Sequence, residues 1–249
     1  MCLKNFFNRV LFYLSVPKCV CCMERLDYED TALCKYCMTI YNEHKKRNCS
    51  RCSKKLAYCS CSNYYLSSHG VKSAVKVFRY GNIEQAKPSN CLIYSLKKDN
   101  RSDVVSFLAD ELADAIRNNI DVSNGSYVIT NVPRRRRAIV KFGYDHAKSL
   151  AITVSKNLGV EYMDLLVSRS KKSQKSIMRE ERMRNANFDY KSRKEISLKG
   201  KSVILIDDIV TTGASMSVGA MLLKGMGAKR IISASLGIAY KDSYTPFTS

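Results

Sequence analysis

Acidic residues are scarce in this chain. Across 249 residues, 22 Asp and Glu stand against 42 Lys and Arg, a formal net charge of +20. That imbalance predicts an anionic partner: nucleic acid, a phosphorylated small molecule or an anionic membrane surface. Tryptophan is absent, which excludes little. No apolar run approaches the roughly 20 residues that a membrane-spanning helix needs. The longest near the N-terminus is Val10 to Leu14. Phe6, Phe7, Val10, Leu11 and Leu14 lie near helical spacing, with Lys4 and Arg9 among them. The segment lacks a small-residue cleavage site, and its apolar run is too short for a signal peptide. A short helix packed on the following region is expected, with weak membrane association as the alternative. Cysteine is almost missing beyond residue 61: ten of eleven precede that point and only Cys91 follows. Without a secretory signal, such clustering favours metal ligands over disulfides. No GxxxxGK[ST] run is present, so the P-loop is excluded. No internal repeat is seen beyond the cysteine pairs.

Those pairs are Cys19-x-x-Cys22, Cys34-x-x-Cys37, Cys49-x-x-Cys52 and Cys59-x-Cys61. A CxxC knuckle brings two thiolates to one tetrahedral ion, and two knuckles complete a four-thiolate shell. Taken in chain order, Cys19, Cys22, Cys34 and Cys37 form one shell and Cys49, Cys52, Cys59 and Cys61 another. An interleaved pairing is equally allowed, and Cys21 beside Cys22 makes the first knuckle ambiguous. His44 and His69, in or beside this region, could replace a thiolate. Four protein thiolates leave no open position, so the expected ion is structural Zn2+.

Residues 1–62 are therefore expected to form an N-terminal helix and a double zinc-ribbon-like module, and residues 63–249 a second domain. In the second, Val71, Val75, Val77 and Phe78 predict one or two strands. Pro88 interrupts any long helix over 83–98. Val104, Phe107, Leu108, Leu112, Ala115 and Ile116 form a helical stripe, with Ser102 or Asp103 as its cap. Strands are predicted over 127–132, 161–167, 202–206 and 230–236, and helices over 145–158 and 214–226. Residues 170–195 are polar and mostly basic. The alternation predicts an α/β fold, a mostly parallel sheet with helices on both faces.

In such sheets ligands bind at the carboxyl ends of strands. Val203 to Ile206 reads as a buried strand, with Asp207 and Asp208 emerging at its rim. Thr211, Thr212, Gly213, Ala214 and Ser215 then turn into a helix. Free backbone N–H groups and the helix dipole favour a phosphate there, and Gly213 lets the backbone approach closely. Carboxylates repel phosphate, so the acids must face another part of the ligand. Vicinal ribose hydroxyls are natural partners, and a ribose with a 5′-phosphate satisfies the whole segment. After the strand ending at Pro133, the Arg134-Arg135-Arg136-Arg137 run can hold a pyrophosphate through forked hydrogen bonds. Not all four arginines can point one way.

Val203 to Ser215, VILIDDIVTTGAS, resembles the phosphoribosyl-pyrophosphate (PRPP) signature of type I phosphoribosyltransferases. The resemblance implies that Asp207 and Asp208 bind the ribose hydroxyls and Thr211 to Ser215 the 5′-phosphate. Hypoxanthine-type enzymes carry an Asp where Thr211 stands, so no purine-salvage base is expected here. The whole layout resembles the ComF/GntX family: cysteine pairs, Asn131-Val132-Pro133, the basic Arg134 to Lys141, Gly143, then Gln174 to Phe188 and the PRPP loop. The family's R-x-x-x-R-G-F-N-Q is met by Gly143. Arg137 and Lys141 keep the basic spacing one position too far from it, and Tyr144, Asp145 and His146 replace F-N-Q. The resemblance implies a type I phosphoribosyltransferase-like sheet and Mg2+ with PRPP. It makes Arg134, Arg137 and Lys141 candidates for pyrophosphate, with Arg137 preferred. Arg169, Gln174, Arg182 or Arg184, Asn185 and Phe188 match a pattern suited to a flap over the site, the alternative being a solvated basic loop. His146 is read as a packing or surface residue rather than a catalytic one.

Two functions follow. One is transfer of a phosphoribosyl group from PRPP to an unknown acceptor, linked to natural competence and DNA uptake. The other is single-stranded DNA binding, with a PRPP-sensing or inactive pocket. Tyr64, Tyr65, Phe142 and Tyr144 are then candidates for stacking on bases. The DNA-uptake machinery is the expected partner. The expected location is the cytoplasm, including the inner face of the membrane.

Overall fold

The computed structural model describes residues 17–81, 84–123, 125–168, 188–191 and 196–239. Five strands form a parallel sheet: β1 (Ser73–Tyr80), β2 (Tyr127–Asn131), β3 (Glu161–Tyr162), β6 (Ser202–Val210) and β7 (Arg230–Ala239). Their order is β1-β7-β6-β2-β3. β4 (Leu166–Ser168) and β5 (Phe188–Tyr190) form a separate antiparallel pair.

The apolar alternation of the central strand decides how the layers assemble. On β6, Ile204 and Ile206 point into one core with the helices α4 (Ser102–Arg117) and α6 (His146–Leu158). Val203 and Leu205 point into the other, which holds Met216, Ala220 and Leu223 of α7 (Ala214–Gly225) and Leu66 of α2 (Tyr64–Ser68). All four β6 side chains are fully buried, each stabilising the fold by about 1.5–3 kcal/mol. A strand buried on both faces is what an all-parallel sheet requires.

Several elements depart from the sequence expectation. The stretch 161–167 is two strands, not one. Met163 N–H still donates to Ile129 (2.8 Å), but Asp164 then turns aside to pair with Lys148 and Lys191. Pro88 does not interrupt a helix; it sits in the first turn of α3 (Lys87–Lys98), where its missing N–H costs nothing. The arginine run enters a short helix, α5 (Arg136–Phe142), closed by Gly143 at φ +79°.

The cysteine-rich region packs on this frame. Leu26, Leu33 and Tyr41 share a core with Phe78 and Leu92. Tyr41, on α1 (Lys35–Lys45), donates its hydroxyl to Glu111 (3.0 Å). Among the described residues, no helix is long and apolar enough to cross a membrane. The expected N-terminal helix, around Phe6 to Leu14, lies outside the described residues.

Candidate functional site

The site exists because β2 stops where β6 continues. β2 pairs with β6 only as far as Asn131 opposite Ile206, and the last link is Val132 N–H to Ile206 (2.8 Å). Pro133 has no N–H with which to extend the ladder. On its other side β6 stays paired with β7 to Val210 opposite Ile238. Asp207 and Asp208 therefore lie inside a strand with one open edge, rather than beyond a strand end as expected. The opening is a cavity of about 340 Å³ lined by Lys97, Arg134, Arg135, His146, Asp207, Asp208 and the loop that follows.

The two acids differ sharply. Asp208 is buried. One of its oxygens meets His146 Nε2 at 3.0 Å and Lys97 Nζ at 2.7 Å, and the other accepts from Ile209 N–H at 2.7 Å. Burial raises the Asp208 carboxyl, but the His146 hydrogen bond and the Lys97 ammonium outweigh it and hold it far below the usual carboxylate range. Asp207 is half-buried and accepts from Asp208 N–H (2.9 Å). Burial, then the neighbouring Asp208 charge, pushes its carboxyl well above the usual range. One acid is thus satisfied by the protein, and the other is held beside the cavity with no cation of its own in hydrogen-bond reach among the described residues.

Thr211, Thr212, Ala214 and Ser215 line the same cavity and lead into α7. Gly213 does not face it. It caps α7 at φ +91°, and an added Cβ would lie 2.8 Å from Leu66 Cγ, so both its backbone conformation and its packing require glycine. Thr212 Oγ1 accepts from Ala214 N–H (3.3 Å). The N–H groups of the first turn of α7 lack intrahelical partners and favour an anion.

Of the candidate pyrophosphate ligands, Arg134 lines the cavity, but its guanidinium donates to Tyr144 (3.1 Å) and Lys97 (3.0 Å) carbonyls. It also stacks on Phe142 and Tyr144, at 4.7 and 5.5 Å from the ring centroids. Arg135 also lines the cavity and is exposed, while Arg137 and Lys141 lie exposed on α5 outside the lining. Phe142 and Tyr144 are thus occupied with Arg134. Tyr65 stacks on His69 (4.4 Å), and Tyr64 is exposed. Sequence reading missed Lys97 and favoured a packing or surface role for His146 over a catalytic one. Lys97 sits on a helix that carries no motif, and His146 is 62 residues from Asp208. Ser168 and Phe188, from β4 and β5, complete the rim. Of the expected flap, Arg169, Gln174, Arg182, Arg184 and Asn185 lie outside the described residues.

The cysteines pair in chain order. Cys19, Cys22, Cys34 and Cys37 form one group and Cys49, Cys52, Cys59 and Cys61 the other, each with its sulfurs within 4.8 Å of one another. Cys22–Cys34 and Cys52–Cys59 sulfurs are 3.5 Å apart. A tetrahedral ion with zinc–sulfur bonds of about 2.3 Å needs sulfurs about 3.8 Å apart, so both shells fit a metal ion. Cys21 belongs to neither shell and its thiol faces Cys91. His44 is buried against Ser89 (2.9 Å), and neither it nor His69 joins a shell.

A family model for the phosphoribosyl transferase domain matches residues 142–245. Competence protein ComFC of Streptococcus pneumoniae is 28% identical over 212 residues, 84% of this chain and 88% of that protein. DNA utilization protein YhgH of Escherichia coli K12 is 26% identical over 155 residues, 59% of this chain and 66% of that one. Among solved structures, a purine phosphoribosyltransferase from Pyrococcus horikoshii matches 58% of this chain and 79% of its own, at 21% identity and a TM-score of 0.36.

Proposed function

We propose, for a chain that belongs to the ComF family of phosphoribosyltransferase-like proteins, that the cavity binds PRPP and that the protein works in competence and DNA uptake. The observation that carries the ligand is the placing of an acid pair, a hydroxyl-rich helix entry and basic residues around one cavity of about 340 Å³. That volume lies within the usual range for small-ligand sites, about 300–1,000 Å³.

In this reading Asp207 and Asp208 accept hydrogen bonds from the ribose 2′- and 3′-hydroxyls. Thr211, Thr212 and Ser215, with the first N–H groups of α7, hold the 5′-phosphate. Gly213 shapes the turn from below. The exposed Arg135 and the Lys97 ammonium supply positive charge toward the pyrophosphate. Arg134 acts by position, fixing the loop that carries Arg135. His146 keeps Asp208 ionised and oriented. Mg2+ accompanies PRPP and neutralises pyrophosphate oxygens when bound. Transfer breaks the bond from C1′ to the pyrophosphate oxygen, which leaves with the bonding pair, and a lone pair of the acceptor forms the new bond to C1′. The acceptor class is open. The two cysteine shells carry structural Zn2+, and the protein acts in the cytoplasm.

A thermal-shift comparison of PRPP, ribose 5-phosphate and pyrophosphate, each with magnesium, tests this. PRPP should stabilise most, because it alone engages both halves of the cavity. No shift with PRPP at millimolar concentration overturns the reading.

A second reading is favoured by α5. Its Arg136, Arg137 and Lys141 are exposed beside the cavity's arginine loop, a surface suited to the backbone of single-stranded DNA, with PRPP as a regulator or the pocket inactive. Salt-dependent binding of a labelled oligonucleotide, weakened in Arg136→Ala/Arg137→Ala, supports it. No binding at low salt removes it.

A further inference from the structure

Lys76 is the one fully buried lysine among the described residues. It lies within β1, between Val75 and Val77, and its ammonium has three N–H donors and three acceptors. These are Cys59 Sγ at 3.0 Å, the Cys61 carbonyl at 2.9 Å and the Ala74 carbonyl at 3.2 Å. A buried ammonium is strongly unfavourable unless an opposite charge accompanies it. Four thiolates around one divalent ion leave an excess of negative charge. Cys59 is a member of the second shell, so the lysine touches a group that can supply that charge.

The same shell reaches the candidate site within a few residues. Cys61 bridges to Ser73, and Ala74 N–H donates to the Ser60 carbonyl (2.9 Å), fixing the shell to β1. Two residues after Cys61, Asn63 caps α2 by accepting from Leu66 N–H (2.7 Å) and donates from Nδ2 to the Thr212 carbonyl (3.4 Å). Leu66, fully buried, fills the space where Gly213 has no side chain. The phosphate loop therefore rests on a short segment whose other end is a cysteine ligand.

We infer that the second four-cysteine shell, with Lys76 as its buried counter-ion, is a metal-dependent brace for the phosphate loop, so that ion occupancy there is coupled to anion binding at Thr211 to Ser215. The ion fixes Cys59 and Cys61, these and Lys76 fix residues 61–66 against β1, and Asn63 and Leu66 fix the turn at Thr212 and Gly213. The first shell, packed against α3 and α4, is not part of this path. The anion-binding half rests on the PRPP reading above, whereas the bracing half does not.

The test uses the full chain loaded with zinc. Native mass spectrometry counts bound ions, and hydrogen exchange reads peptides covering 211–215. Cys52→Ser and Lys76→Met should each lose one ion and raise exchange in those peptides by roughly tenfold or more, within the ordinary range of coupling between sites. Cys22→Ser should lose an ion from the first shell and leave that exchange within about twofold of wild type. Should a variant fail to fold, wild-type protein titrated with a chelator gives the same readout, because alkylation of Cys52 or Cys22 reports which shell has emptied. Exchange at 211–215 must then follow the second shell. Equal loop exchange after emptying either shell, or full ion retention by Lys76→Met, overturns the proposal. If PRPP fails to bind wild-type protein, the functional reading falls, while the ion and exchange measurements still decide the brace.

Discussion

Replace Asp207 and Asp208 by asparagine one at a time, and melt the ligand-free protein near neutral pH. Asn at 208 removes the charge that His146 and Lys97 face in a buried setting. A hydrogen bond to a charged group contributes about 1.5–3 kcal/mol. Lys97 is partly exposed, so its pair adds only about 0–1 kcal/mol after screening. A loss near 3 kcal/mol lowers the midpoint by about 6–12 °C for a chain of this size. Asn at 207 has the opposite effect. It keeps an oxygen to accept from Asp208 N–H and removes a carboxylate that burial and Asp208 disfavour. A gain of about 1 kcal/mol is expected, as for other relieved charge conflicts, raising the midpoint by about 2–4 °C. The pH dependence carries the same signs. Asp207, with its folded-state value raised, costs nothing below about pH 4, where the unfolded carboxyl is also protonated, and the cost grows as pH rises above that. Asp208, with its value depressed, stabilises fully above about pH 4, and that contribution is lost on acidification toward its low folded-state value. Circular dichroism melts at several pH values read all of this. Equal shifts for the two variants, or stabilisation by Asp208→Asn, would refute the assignment of roles.

His146→Ala leaves Asp208 with Lys97 alone among its described side-chain partners and should destabilise by about 1.5–3 kcal/mol in the same assay; a neutral result would remove its orienting role. Gly213→Ala forces a side chain into left-handed backbone and against Leu66, costing at least about 1–2 kcal/mol; Leu66→Ala in the same chain should relieve the clash but not the backbone strain, and full recovery would contradict the argument. Because Asp207 is held above the usual carboxylate range, binding of magnesium and PRPP should release a proton and tighten as pH rises above that range; a flat profile, or no dependence of binding heat on buffer, would contradict it.

The sequence made the sheet and the acid pair legible because both are local. Four apolar residues before two acids mark a buried strand wherever they occur, and TTGAS before a helical stripe marks a helix entry. Shell composition was legible because knuckle spacing is also local, though only the structure decided that the pairing runs in chain order. Long-range neighbours left no trace. Lys97 reads as one more lysine at the end of a helix, and His146 as one more first-turn residue, until β2 ends early and α3 and α6 bring them to Asp208. The arginine run misled for a physical reason: Arg136 and Arg137 were free to start a helix, which turned Arg137 and Lys141 outward and left Arg134 and Arg135 at the cavity. Lys76 carried a signal that went unread, a lone charge within the apolar run Ala74 to Phe78.

Calorimetric titration of PRPP with magnesium into wild type and Asp207→Asn, side by side, reads out whether the unpaired acid holds the ribose. Asp207→Asn is expected to be at least as stable as wild type, so lost binding cannot be blamed on unfolding. Saturable binding to wild type is expected, with a weakening of about 10- to 150-fold in the variant, the worth of a charge-assisted hydrogen bond to a ribose hydroxyl. Equal affinity for both proteins, or none for wild type, would contradict it.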